Sequence, residues 1–260
     1  MRTIISILFV PLLAALTSCE KVIDIDLNSA SPKIVIEGGL NDSGPCHIRI
    51  TKTKNFSENN DFEGISNAFV TITDNMGNRD TLLHTGNGVY EKALTGTPGR
   101  TYSLNVNVEG EIFTSVSEMP QPVNIDSLYT INFTGFNDTI KIITADYFDP
   151  AGVKNWYRFL LTVNKGAKEN IIINNDEFSD GRPSQQSIFY RADGEGLKTG
   201  DSVMVEMQCI DKSVYHYFFT LEQTISQSAA APTNPVSNIK GGALGYFSAH
   251  THNLRSMRIQ

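Results

Sequence analysis

Three cysteines, five histidines and one tryptophan are few for 260 residues, and each scarcity excludes something. Three thiols cannot form the dense disulfide framework of a small secreted scaffold, and a chain of this length can build its core without one. Basic residues are outnumbered, 21 Lys and Arg against 28 Asp and Glu, for a net charge of −7. A nucleic-acid binder needs a basic face to displace the counterions on phosphates, so nucleic acid is not an expected partner. No segment approaches the roughly 20 apolar residues of a bilayer-crossing helix. Common catalytic signatures are missing as well: no Gly-x-Ser-x-Gly elbow, no His-Glu-x-x-His, no Gly-x-x-x-x-Gly-Lys loop and no dinucleotide fingerprint. We therefore expect no cofactor and assign no catalytic residue. With 40% hydrophobic and 19% charged residues, the composition is that of an ordered globular chain.

What is present begins at the N-terminus. Arg2 precedes a 13-residue apolar run, Ile4 to Leu16, broken only by Ser6 and Pro11. That is the pattern of a secretory signal's central region. The run ends Leu16-Thr17-Ser18-Cys19, small residues ahead of a cysteine, in the shape of a lipobox. Residues 1–18 are expected to be a lipoprotein signal peptide, Cys19 the lipid attachment point and residues 19–32 a lipidated tether. Each buried methylene contributes about 0.8 kcal/mol, so two or three acyl chains would hold the protein on a membrane without spanning it. Cys46 and Cys209 remain, each ending or opening an apolar alternation (Cys46, Ile48, Ile50; Val203, Val205, Met207, Cys209). They read as two separate buried thiols, although an oxidising compartment would permit a disulfide.

After Pro32 the hydrophobic period becomes two, with β-branched residues in runs separated by turn formers such as Asn41-Asp42-Ser43-Gly44-Pro45 and Thr97-Pro98-Gly99. Seven strands are expected between residues 33 and 120. Met119-Pro120-Gln121-Pro122 then marks a boundary, because prolines cannot donate ladder hydrogen bonds. Beyond it, strands are expected at 125–133, 139–148, 155–164, 170–174, 187–191 and 201–210, with closing strands at 241–250 and 253–259. Val214, Tyr217, Phe218, Leu221 and Ile225 follow a helical period behind Asp211, a natural N-cap, so a helix is expected near 212–227 with its aromatic side over a sheet. The fold class is all-β: two immunoglobulin-like β-sandwiches, 33–120 and 123–260, the second carrying one amphipathic helix.

Long loops on rigid sandwiches collect binding residues. Two stand out: 53–66, offering Phe56, Asp61 and Phe62, and 174–186, offering Asp176 and Glu177 along with Asp180 and Arg182. On the strand at 155–164, Trp156 and Arg158 share one face, opposite the core-directed Tyr157 and Phe159; stacked on each other they could bind a ligand, or they could make a structural contact. His250 and His252 fall on one face of a strand and are weak metal-ligand candidates lacking an identifiable third ligand; no metal is expected. Asp74, Asn75, Asn78 and Asp80 could ring a cation, but Asn-Met-Gly-Asn is better hairpin chemistry.

The run from Cys19 (Cys-Glu-Lys-Val-Ile-Asp-Ile-Asp, then Pro-Lys-Ile-Val-Ile-Glu-Gly) resembles the opening of an uncharacterised Bacteroidota lipoprotein family, domain of unknown function 4249. Further pieces match in order: Ala68-Phe69-Val70-Thr71-Ile72-Thr73-Asp74, Pro98-Gly99-Arg100-Thr101-Tyr102, Ile125-Asp126-Ser127-Leu128, Asp149-Pro150, Asn155-Trp156-Tyr157-Arg158 and Gly241-Gly242-Ala243-Leu244-Gly245. The resemblance implies an outer-membrane lipoprotein with β-sandwich domains beside a TonB-dependent outer-membrane transporter. It supplies no site residues. The expected function is that of a binding or accessory module; a structural or adhesive lipoprotein and an envelope hydrolase are the alternatives.

Overall fold

The computed structural model describes residues 31–260 apart from 56, 57, 60, 136–138, 167, 168, 193 and 227–232. The expected leader, Cys19, all but the end of the tether and Phe56 lie outside the described residues. From Pro32 to Gln260 the chain forms one compact unit. Its elements in order are β1 (Ile34–Asn41), β2 (Cys46–Lys52), β3 (Phe69–Asp74), β4 (Arg79–Gly86), β5 (Val89–Lys92), β6 (Thr101–Val108), β7 (Glu111–Glu118), β8 (Ile125–Thr134), β9 (Thr139–Phe148), β10 (Trp156–Val163), β11 (Glu169–Asn175), β12 (Pro183–Ile188), β13 (Ser202–Ile210), helix α1 (Lys212–Ile225) and β14 (Leu244–Arg258).

The alternation that identifies these strands also builds the core. Along β6, Tyr102, Leu104, Val106 and Val108 are buried, and Ser103, Asn105 and Asn107 between them face outward. The result is the expected pair of sandwiches, but they are joined. One 11-stranded sheet runs β11-β10-β13-β14-β1-β2-β5-β4-β3-β6-β7, and a second sheet runs β12-β9-β8. The long sheet curls so that β6 and β7 lie against β14 around the first hydrophobic cluster. The small sheet covers the other half, enclosing a second cluster built on Tyr147, Tyr157, Phe159, Val205 and Met207.

β14 is the shared element. Its first half pairs in parallel with β1, from Val35–Leu244 to Asn41–His250, and its second half pairs antiparallel with β13, from Cys209–Thr251 to Ser202–Arg258. The two closing strands expected at 241–250 and 253–259 are therefore one. Polar residues at His250 to Asn253 interrupt the apolar pattern where the strand changes partner, yet the backbone continues. In consequence the division at Met119–Val123 is not a clean cut in sequence: Ile239, Ala243, Phe247 and Ala249 belong to the first cluster. The parallel pairing also brings backbones close. A Cβ on Gly245 would stand 2.0 Å from the Ile36 carbonyl oxygen, at φ +96°, so only glycine fits.

The strand expected at 187–191 instead occupies Pro183–Ile188. It is an edge strand paired with β9, opened by a proline at the one place in a strand where its missing N–H is harmless. Helix α1 starts where expected. Asp211 caps it, accepting from the Ser213 and Val214 amides at 2.7 and 3.0 Å. Val214, Tyr217 and Phe218 are buried against the outer face of the sheet, with Tyr217 and Phe218 packing on Tyr246 of β14. Cys46 and Cys209 are free, buried and in different clusters.

Candidate functional site

The expected site residues do not all converge. Asp61 and Phe62 are exposed on the 53–66 loop, Phe62 at 40%, and neither lines a described cavity. The Asp74 hairpin is a turn held by its own side chain, which accepts from the Met76 and Asn78 amides at 3.0 and 2.9 Å and pairs with Arg100 at 2.8 Å. The Asn78 side chain, donating to Asp74 Oδ2 at 2.9 Å, contributes most to holding the Asp74 carboxyl below its usual range, and the two amides and Arg100 add to it.

His250 and His252 share a face of β14, but each imidazole is engaged. His250 Nδ1 lies 3.1 Å from Ser248 Oγ, and burial pulls its pKa down to about 4. His252 Nδ1 lies 2.8 Å from Asp42 Oδ1, and its Nε2 is 3.1 Å from Ser43 Oγ. Asp42, His252 and Ser43 thus form a hydrogen-bonded chain of the type that activates a serine. The Ser43 and Gly44 amides, where an oxyanion would need donors, both donate instead to Asn41 Oδ1. These side chains line none of the cavities described here, and the chain of bonds serves to clamp the β1–β2 turn to β14.

Trp156 and Arg158 lie on the outer face of β10, beneath α1. Trp156 packs, half-buried, beside Ile210, Val214 and Phe218 rather than standing free as a stacking platform. The Arg158 guanidinium sits 3.8 Å above the centre of the Phe218 ring, a cation–π contact, and its Nε is buried without a hydrogen-bond partner. It borders a cavity of about 590 Å³ whose walls include Leu160, Ile172, Phe189, Ile225 and the acidic Glu222. A smaller cavity of about 320 Å³ lies between Met119, Pro120, Pro150, Trp156 and Asp211.

The sequence-predicted Asp176 falls in the most unusual electrostatic setting. The turn between β9 and β10 carries Asp149, and the loop between β11 and β12 carries Asp176 and Asp180; one carboxylate oxygen of each lies within 4.8 Å of the other two. Asp149 is fully buried, and Asp176 is 2% exposed. The Tyr157 hydroxyl donates to Asp149 Oδ1, whereas Asp149 Oδ2 has no hydrogen-bond partner. Burial pushes the Asp149 carboxyl up, Tyr157 and, less strongly, the Gly181 amide oppose this, and the charges of Asp176 and Asp180 reinforce it. Asp176 Oδ2 accepts from the Asn155 amide at 2.9 Å, and Lys154 Nζ stands 3.4 Å from its Oδ1. Asp180 Oδ1 accepts from the Gly152 amide at 2.7 Å. Ser179 Oγ in the same loop is also buried and unpartnered. Glu177 is exposed and outside the cluster. Asp149 is the residue that sequence reasoning did not select; its signal was the Asp-Pro turn leading into β10, which reads locally as a turn and nothing more.

A search among curated proteins finds no match. Among solved structures, a segment of two fibronectin type III domains from chicken tenascin aligns at 11% identity with a TM-score of 0.23, covering 69% of this chain and 91% of that one; at that score it bears on neither fold nor function. A family model described as a domain of unknown function (DUF4249) matches residues 20–255, and the chain belongs to that family.

Proposed function

We propose that this chain is a lipid-anchored outer-membrane protein whose joined sandwiches act as a binding or accessory module beside a TonB-dependent transporter. The observation that carries the reading is the Leu16-Thr17-Ser18-Cys19 run behind a charged start and an apolar stretch, a combination with a specific chemical consequence at the cysteine. The cavity beside Arg158 supports the binding role: largely apolar walls bordered by a guanidinium suit a ligand with an apolar body and an anionic end. Purification of the native protein from membranes in mild detergent tests the accessory role. A β-barrel transporter should accompany it at stoichiometric level, and recovery of the protein alone across several detergents would contradict the proposal. The Asp42, His252 and Ser43 chain is the observation that favours an envelope hydrolase instead; the Asn41 oxygen already held by the Ser43 and Gly44 amides weighs against it.

A further inference from the structure

Three carboxylates facing one another around a shared point repel, and a buried one without hydrogen bonds is costly unless something compensates it. In this corner the described compensation is slight. Lys154 is the one cation paired there among the described residues, and its side chain is 69% exposed and approaches only Asp176. Amides satisfy one oxygen of Asp176 and one of Asp180, Tyr157 satisfies one of Asp149, and the Gly181 amide adds a weaker stabilisation of the Asp149 carboxylate. What remains is Asp149 Oδ2, fully buried and with no hydrogen-bond partner. All of these are hard oxygen donors, and neither histidine nor cysteine belongs to the set. Zinc and copper prefer nitrogen and sulfur donors, whereas calcium accepts carboxylate, hydroxyl, carbonyl and water oxygens in flexible number.

We propose that Asp149, Asp176 and Asp180 bind a calcium ion. The ion staples the β9–β10 turn to the β11–β12 loop. The two segments are already aligned for it, because the Asp149 amide donates to the Arg182 carbonyl at 3.1 Å and the Gly152 amide to Asp180. β12 begins at Pro183, directly after this loop, so the ion also fixes the start of an edge strand. The inference is independent of the lipid anchor and of any transporter.

The test uses the full-length protein, freed of metal with a chelator and titrated with calcium chloride, magnesium chloride or terbium chloride alone. Calcium should bind one to one, with a dissociation constant on the order of 1 mM or tighter as for extracellular modules, and should raise the melting temperature; magnesium should do so less. Tyr157, bonded to Asp149, should sensitise terbium luminescence, and calcium should quench that signal by displacement. Asp180→Asn is the decisive variant, because Asp180 is exposed and its loss leaves the core intact. It should weaken calcium binding by about tenfold or more and abolish the thermal shift. A wild-type protein with no calcium-dependent melting shift and no sensitised terbium emission would overturn the proposal, as would an Asp180→Asn variant that binds calcium as tightly as wild type.

Discussion

Phe247→Ala is the perturbation that most sharply probes a body built around one shared strand. Phe247 is fully buried in the first hydrophobic cluster, while its neighbour Tyr246 faces the opposite side of β14 and packs on α1. Truncating a buried phenylalanine removes its transfer free energy and leaves a cavity, which together cost about 3–5 kcal/mol. For a chain of this size that is a melting-point decrease of roughly 6–20 °C. The sole tryptophan, Trp156, lies in the cluster under α1, remote in sequence from the first sandwich, and reports on the second half. Urea unfolding should be followed by Trp156 fluorescence and by far-ultraviolet circular dichroism. Because β14 is hydrogen-bonded to β1 on one side and β13 on the other, both probes should shift to the same lower midpoint. A variant in which circular dichroism splits into two steps, with the fluorescence midpoint unchanged, would refute the shared-strand reasoning.

Other consequences can be measured separately. His250, half-buried against Ser248, has its pKa lowered from 6.5 to about 4, chiefly by desolvation, with Glu206 and Asp42 favouring its charge and Arg158 and His252 opposing it. The unfolded chain therefore binds the proton first, so its contribution is complete above pH 6.5 and is lost as pH falls towards 4, by up to about 3 kcal/mol. His250→Gln should flatten the pH dependence of the urea midpoint in that window, and a profile identical to wild type would refute this. Burial pushes the Cys46 thiol up to about 12, with Asp80 adding to the effect, and also raises Cys209. Ellman's reagent should find no reactive thiol in the native body and two, not three, after unfolding of the lipidated protein; rapid native labelling would contradict the burial. A fluorophosphonate probe should leave Ser43 unlabelled, since the Asn41 side chain holds its would-be oxyanion donors; stoichiometric labelling lost in His252→Ala would establish the hydrolase alternative.

The parts of the fold that were legible are those where local pattern and burial agree. Thr101–Val108 falls among the seven strands expected in the first half because it alternates cleanly across a dry and a wet face, and Thr139–Phe148 occupies its expected bounds because its β-branched apolar run is buried. Helix α1 was legible from its apolar spacing and its cap. β12 was not, since Pro-Ser-Gln-Gln on an exposed edge carries no apolar period and pairs only because β9 is beside it. The continuity of β14 was hidden for a similar reason: a change of partner mid-strand leaves polar residues where a break would also leave them. Of the candidate site, loop composition pointed to Asp176, but nothing local links it to Asp149, which meets it only when two turns on neighbouring strands are folded together. The trio of Asp42, Ser43 and His252 is likewise a product of pairing between the two ends of the chain.

The proposed membrane attachment rests on the chemistry of one sulfur, that of Cys19. Mass spectrometry of the mature protein extracted from membranes should find Cys19 as the first residue, carrying a diacylglyceryl thioether and an N-acyl chain, and Cys19→Ala should release the protein from the membrane fraction. An N-terminal peptide with an unmodified Cys19, or an alanine variant that still sediments with membranes, would contradict it.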